Sequence, residues 1–374
     1  MKIAFIVHDY HRHGGHARYV AELASRFKKE HEVHVYTNRW EETDLVGLTF
    51  HKVPAWTWRE ITKVLSFILP ATWNAPKNFD IVHSQGLCGL RHDLTTTHFI
   101  QPAWFRELKK RNQKSGLGSL FWTRIVAPLE RFALGPLCSQ RVISISHSVT
   151  TDLNREYGIN QNVDLIYHGT DLAKFHPLNQ SKYRNNCREN LGFAHGDFVA
   201  LFVGNLQKGA AVAIQAVSKV PDCHLVLVSG SNNLREVEIA ANLGISHRIH
   251  WVPLSREIEI YFAAADCFVF PTVYEPFGMV ISEAMASGLP VITSKSAGAA
   301  ELIEHGKSGL LLNEPWSAAE ISKNLVFLMQ NSDLRIDMGV AARRAIEPYT
   351  WDRCAEETMS VYQKIVDNKK KHLK

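Results

Sequence analysis

No apolar run in the 374-residue sequence reaches the roughly 18 to 20 residues that a membrane span needs. The opening stretch "KIAFIV" is apolar over only six residues before "HDYHRHGG" turns polar, too short for the core of a signal peptide. A first strand and a cytoplasmic location are the expectation. The six cysteines, Cys88, Cys138, Cys187, Cys223, Cys267 and Cys354, are scattered, with no paired spacing and no histidine in metal-ligand register. That pattern argues against a disulfide framework and a zinc site, and reads as free core thiols. A basic stripe along the whole chain and recognised nucleic-acid motifs are missing too, which argues against nucleic acid as a partner.

What is present is a soluble, globular composition, 45% hydrophobic and 21% charged. The length suits two domains of about 150 to 200 residues better than one core. The net charge of +5 is unevenly placed: residues 1 to 175 hold 22 Lys and Arg against 16 Asp and Glu, and the remainder holds 20 against 21. The excess concentrates in residues 101 to 131, "QPAWFRELKKRNQKSGLGSLFWTRIVAPLER", where seven basic residues face two acidic ones. There Lys109, Lys110, Arg111 and Lys114 interleave with Trp104, Phe105 and Trp122, a mixture suited to an anionic surface such as membrane headgroups or a phosphorylated glycolipid. A solvated helix with one packed apolar face explains the same segment equally well.

Both halves alternate short buried strands with amphipathic helices, the rhythm of parallel α/β sheets. Strands are expected at 2 to 7, 32 to 37, 80 to 85, 93 to 98 and 141 to 146, then at 197 to 204, 224 to 230, 248 to 253, 267 to 272 and 289 to 294. The expected fold is α/β, two doubly wound Rossmann-like domains facing a cleft. Expected domains are 1–170, 171–352 and a C-terminal helix, 353–374, returning to the first. A hinge is expected at 166 to 186, where the strand pattern lapses and Pro, Asn and Ser accumulate.

Ligands of such sheets sit beyond the carboxyl ends of the strands, and three loops there carry chemistry. In "HDYHRHGGHARYV", Gly14 and Gly15 open a helix, where absent Cβ atoms and unpaired N–H groups let an anion approach; a helix-start turn alone also explains them. In "LFVGNLQKGAAVAIQAV", Lys208 stands beside a helix N-terminus whose dipole is already positive, a conflict that a diphosphate would resolve. In "CFVFPTVYEPFGMVISEAMASGLP", Glu275 precedes a helix and Glu283 lies about a turn and a half inside it. The amides of Phe277, Gly278, Met279 and Val280 suit phosphate and sugar oxygens, and the carboxylates suit hydroxyl groups on either side. Such a set fits a sugar nucleotide.

Glu-x7-Glu after an apolar strand, the glycine-rich first loop, "GNLQKG" and "TTTHF" together resemble the family 4 glycosyltransferases. The resemblance spans nearly the whole chain and implies the GT-B fold with retention of anomeric configuration. "HEVHVYTNRWE", the basic aromatic segment and "LERFAL" further resemble lipopolysaccharide core glucosyltransferases. Residue by residue, the resemblance implies that Glu283 holds the ribose, Glu275 the transferred sugar, Lys208 the diphosphate, Gly14 and Gly15 its other side, and His98 the neighbourhood of the donor sugar. Asn205 stands where the family usually has arginine, so one positive charge is missing unless Arg18 supplies it, and His168 stands where asparagine is commoner. With no Asp-x-Asp at a strand end, metal independence is expected, and no cofactor beyond the nucleotide-sugar donor. The expected acceptor is a cell-envelope glycan or glycolipid, met by a cytoplasmic protein peripheral on the inner membrane face. Three alternatives share these features: a non-catalytic nucleotide-sugar or membrane-binding protein, a glycoside hydrolase and a nucleotide-sugar epimerase. Binding without transfer, sugar release without nucleotide, or donor conversion without acceptor would single each of them out.

Overall fold

The computed structural model describes residues 1–12, 14–41, 46–56, 58, 60–74, 78–109, 122–194 and 196–372. Two compact units result, one formed by Met1–Gly169 with Trp351–Lys374 and the other by Thr170–Thr350.

In the first unit β1 (Lys2–Ile6), β2 (Glu32–Thr37), β3 (Leu48–Lys52), β4 (Ile81–Gln85), β5 (Leu94–Thr97), β6 (Arg141–Ser144) and β7 (Val163–Leu165) form one sheet. Its order is β3-β2-β1-β4-β5-β6-β7, and the pairings are parallel. Helices α1 (Gly15–Phe27), α2 (Glu60–Trp73), α3 (Gln101–Lys109), α4 (Ala127–Leu134) and α5 (His147–Tyr157) lie between the strands in sequence. Sheets covered on both faces need apolar residues at nearly every strand position, and Ile3, Ala4, Phe5 and Ile6 of β1 are fully buried. The C-terminal helix, Trp351–His372, packs against α1. It buries Trp351 and Tyr362, sets Tyr362 Oη 2.7 Å from His83 Nδ1, and pairs Asp352 with Arg26 at 2.6 Å.

The second unit holds β8 (Phe198–Val203), β9 (Cys223–Ser229), β10 (Ile249–Pro253), β11 (Cys267–Phe270), β12 (Val291–Ser294) and β13 (Leu310–Leu312), in the order β10-β9-β8-β11-β12-β13, again parallel. Its helices are α6 (Asn179–Asn190), α7 (Ala210–Val217), α8 (Leu234–Asn242), α9 (Glu259–Ala264), α10 (Met279–Ala286), α11 (Ala318–Gln330) and α12 (Ser332–Ile346). All six residues of β8, FVALFV, are buried. In both sheets the direction of strand order reverses beside the first strand, between β1 and β4 and between β8 and β11. The loops leaving those strands diverge and leave a crevice at each reversal.

The ten expected strands are present with ends within two residues of the expectation, and β3, β7 and β13 add to them. The division between the units, at Gly169/Thr170, falls inside the stretch 166 to 186 where the boundary is expected. That stretch also contains the first eight residues of α6, a helix that the sequence reading did not include. That helix is strongly polar and buries only Cys187 and Arg188. Its inward contacts are made by guanidinium groups: Arg184 donates to the carbonyls of Ala264 and Ala265 at 3.1 and 2.8 Å and pairs with Asp266 at 2.6 Å, while Arg188 donates to Ala264 at 3.0 Å. These arginines satisfy the last carbonyls of α9 and hold the start of β11. Hydropathy periodicity does not register a helix anchored in this way.

Candidate active site

In the second unit, the loop after β8 turns through Asn205, whose side-chain oxygen accepts from Gln207 N at 2.9 Å and caps the short 3-10 turn Leu206–Lys208. Gly209 then opens α7 at φ +110°, and a Cβ there would lie 2.5 Å from the Pro271 carbonyl oxygen. Only glycine lets the loops after β8 and β11 press together so closely. The β11 loop is fixed from its other side, because Gly298 N donates to Glu275 O at 2.9 Å and Ala299 N to Phe277 O at 2.7 Å. Gly278 opens α10 at φ +93°, where a Cβ would meet Glu275 Cγ and Ile281 Cδ1, each at 3.0 Å.

This packing delivers the Lys208 ammonium onto the Glu275 carboxylate in a direct ion pair. The sequence expectation left a negative partner for Lys208 to a ligand; the structure places Glu275 in that position. Lys208 remains more than a third exposed and Glu275 is mostly covered, so the lysine is the member open to solvent. Glu283 is buried on the inner side of α10. Phe277 is buried before the helix, Met279 and Val280 form its first turn, and its N-terminus has no side-chain cap. The same holds for α7, whereas α5 and α11 are capped by Ser146 and Ser317. Two helix N-termini, a lysine and two carboxylates therefore gather at one reversal of strand order. A helix start without a cap offers N–H donors and partial positive charge to an anion.

In the first unit Gly14 opens α1 at φ +85°, followed by exposed Gly15. Arg18 lies in the first turn of the helix and stands close enough to His168 to help keep its imidazole neutral. His98, just past β5, is buried, and its Nε2 lies 2.8 Å from Gln85 Oε1 at the end of β4. That partner makes Nε2 the protonated nitrogen and Nδ1 the acceptor, and Nδ1 has no hydrogen-bond partner among the described residues. The His98 ring stacks on His16 with centroids 4.5 Å apart, and His168 and Tyr19 approach at 5.3 and 5.0 Å. Burial holds His98 well below the usual imidazole range, reinforced by neighbouring His16, His168 and His83. His168 and His83 are pushed down to about 3 by the same cause. His83, His98 and His168 thus form an uncharged, polar group. Sequence reasoning named His98 but missed Gln85 and His16. The position of Gln85 at the end of the strand beside the reversal was the available signal.

Of the basic aromatic segment, Lys110, Arg111 and Lys114 lie outside the described residues, as does the side chain of Lys109. Trp104 and Phe105 are half-buried on α3, and Trp122 packs half-buried against Ile68, Leu87, Val126 and Ala133. Arg106 pairs inward with Asp152 at 2.7 Å and with Glu156. Among the described residues, no group of three or more His, Cys, Asp and Glu is placed to hold a metal ion, and no helix is long and apolar enough to cross a membrane.

Two family models divide the chain between them: Glycosyltransferase Family 4 matches residues 13–174, and Glycosyl transferases group 1 matches 184–345. The chain belongs to the family 4 glycosyltransferases and has the GT-B fold. It is 31% identical to the D-inositol 3-phosphate glycosyltransferase of Pseudarthrobacter chlorophenolicus over 62% of this chain and 58% of that protein. Matches to three curated relatives span only 58 to 60% of their lengths. Among solved structures, WaaG, a glycosyltransferase involved in lipopolysaccharide biosynthesis, has a TM-score of 0.79 at 20% identity, covering 95% of this chain and 98% of WaaG. Anabaena Alr3699/HepE in complex with UDP-glucose has a TM-score of 0.73 at 20% identity, covering 99% and 100%. At these identities the structural likeness speaks for the fold.

Proposed function

We propose that the protein is a retaining glycosyltransferase that moves a hexose from a UDP-linked donor to a cell-envelope glycan or glycolipid, such as lipopolysaccharide core. The observation that carries this reading is the Lys208–Glu275 ion pair, set beside two glycine-opened helix N-termini where the second sheet reverses its strand order. An arriving diphosphate competes with Glu275 for Lys208. The lysine turns to phosphate oxygen, and the released carboxylate accepts hydroxyl groups of the sugar. Glu283 holds the ribose, and the amides from Phe277 to Val280 take phosphate and sugar oxygens. On the first unit, Gly14, Gly15 and Arg18 approach the phosphates, and neutral His98 accepts a sugar hydroxyl at Nδ1.

The bond from the anomeric carbon to the diphosphate breaks as the acceptor oxygen bonds to that carbon from the same face, and the acceptor proton passes to the departing diphosphate. Stabilising that departing charge is then the main contribution of the protein. Lysine and helix dipoles supply the positive charge, which supports independence from divalent metal. The acceptor belongs to the cytoplasmic membrane, where Trp104, Phe105, Lys109, Lys110, Arg111, Lys114 and Trp122 serve as membrane or acceptor surface on its inner face.

The test is a thermal-shift panel of UDP, GDP and ADP with and without EDTA. A ligand at about 100 times its dissociation constant stabilises by roughly 2.7 kcal/mol. A shift with UDP alone, unchanged by EDTA, is expected. Steady release of free sugar from a glycoside without nucleotide would instead identify a hydrolase.

A further inference from the structure

In the first unit, α2 and α4 contribute to one small cluster of Ile68, Leu87, Val126 and Ala133, with Leu65 and Leu129 half-buried against it. Outward from that cluster each helix carries an apolar stripe. On α2, Leu65, Leu69 and Trp73 recur every four residues and share a face, with Leu69 60% and Trp73 81% exposed. On α4 and the π turn before it, Ile125, Leu129 and Phe132, spaced by four and three residues, also share a face, and Ile125 and Phe132 are exposed.

The loop between β4 and β5 ties the two stripes together. Leu90 N donates to Thr72 Oγ1 at 3.0 Å, and His92 Nε2 lies 3.1 Å from the Ala133 carbonyl oxygen. In the segment before α2, Trp56, whose backbone N–H donates to Ser66 Oγ at 2.8 Å, and Trp58, 92% exposed, add two further exposed indoles. Among the described residues its exposed charges have one sign. Arg91 in the connecting loop, Arg124 and Arg131 are exposed. Glu130 turns inward to Tyr157 and the Gln101 amide, and Asp93 is taken up by Lys369 and the Val82 amide. The exposed apolar residues of α12 in the second unit, Leu334, Ile336 and Val340, are instead interleaved with exposed Asp333 and Asp337.

We propose that this face of α2 and α4 is the apolar anchor by which the protein docks on an anionic bilayer. Indole and aliphatic side chains enter the boundary of the acyl chains, and guanidinium groups meet lipid phosphate. The proposal rests on the reading that the acceptor is carried in a membrane. It adds a more exposed apolar contact to the half-buried Trp104, Phe105 and Trp122, with the basic residues near 109 to 114 as a long-range electrostatic attraction.

The experiment is co-sedimentation with vesicles of phosphatidylcholine, with or without a third of phosphatidylglycerol, across a salt series. Wild type is compared with Leu69→Ser/Trp73→Ser/Phe132→Ser, with Arg91→Gln/Arg124→Gln/Arg131→Gln, and with Lys109→Gln/Lys110→Gln/Arg111→Gln/Lys114→Gln. The apolar variant is expected to lose about a hundredfold in partitioning at every salt concentration, with its melting temperature and its UDP shift unchanged. Either charge variant should lose only the preference for phosphatidylglycerol, which fades with salt in wild type. Separately, Trp73→Cys carrying an environment-sensitive dye should shift to the blue on phosphatidylglycerol vesicles; the six native cysteines are buried. Wild-type indifference to anionic vesicles at low salt, wild-type binding by the apolar variant, or an unshifted dye overturns the proposal. So does a dimer that the apolar variant turns into a monomer, which assigns the face to a second copy. A missing UDP shift counts against the proposed transferase, not against this surface.

Discussion

Around the reversal of its sheet the first unit gathers His83, His98 and His168 about Tyr19, all held neutral by burial, with His16 stacked on His98; the second unit gathers Lys208, Glu275 and Glu283 between two helix N-termini. The topology is alike in both, parallel strands with the order turning beside the first strand, yet one site is built by excluding charge and the other by pairing it. Burial makes the difference. Lys208 keeps access to water and can exchange partners, whereas His98 and His83 are buried and offer neutral hydrogen bonds. The charged environment suits a diphosphate, and the neutral imidazoles suit a sugar hydroxyl.

Acid should break the comparison most forcefully. His8 and His92 are pushed down to about 4 and His83 and His168 to about 3, each chiefly by burial. The unfolded chain binds protons from about 6.5 downward while the folded first unit refuses them. Stability that is full above that pH is therefore lost as pH falls toward 3. Each of the four imidazoles costs about 2 kcal/mol by pH 5. Glu130, raised to about 7 by burial, works the other way, gaining about 2 kcal/mol as it protonates between pH 7 and 5. A net loss of roughly 6 kcal/mol should fall on the first unit. Hydrogen exchange across that range would show it, and equal loss of protection in both units would undo the contrast.

Gly209→Ala comes next. Its Cβ would collide with the Pro271 carbonyl at a strained positive φ, so roughly 3 kcal/mol or more of destabilisation is expected. Gly15→Ala has nothing within 4 Å and should change the melting temperature little. Calorimetry of the two variants compares the glycine loops directly.

At the second site, Glu283→Ala should raise the dissociation constant for UDP about tenfold or more, whereas Glu275→Ala should act mainly on turnover. Titration calorimetry beside steady-state kinetics separates the two, and equal effects on nucleotide affinity would refute the assignment. The smallest effect belongs to Gln85→Leu. Losing the partner of His98 Nε2 should cost turnover about tenfold while UDP affinity stays put. Gln85→Glu should instead draw His98 up toward neutrality and add an acidic limb to the pH–rate profile.

Much of this was legible in sequence because buried parallel strands are written as continuous apolar runs, as in FVALFV of β8. The Glu-x7-Glu stretch was legible for the same reason, being polar punctuation after such a run. Polar construction stayed hidden. Helix α6 owes its place to Arg184 and Arg188 reaching carbonyl oxygens far along the chain, and short β13 gives too few residues for a period. The pairing of Lys208 with Glu275 joins residues 67 positions apart, and no local pattern encodes it. Gln85 carries no hydropathy signal, and only the three-dimensional neighbourhood reveals its bond to His98.

The C-terminal helix brings Trp351 and Tyr362 back to Tyr19 and His83, so part of the interior of the first unit is encoded after the whole of the second. During synthesis, every residue of the second unit is added before the helix that closes the first. The portion made first is thus the one finished last. A nascent chain stalled near residue 350 would expose the side of α1 that this helix covers, and it is then that a chaperone would have most to shield.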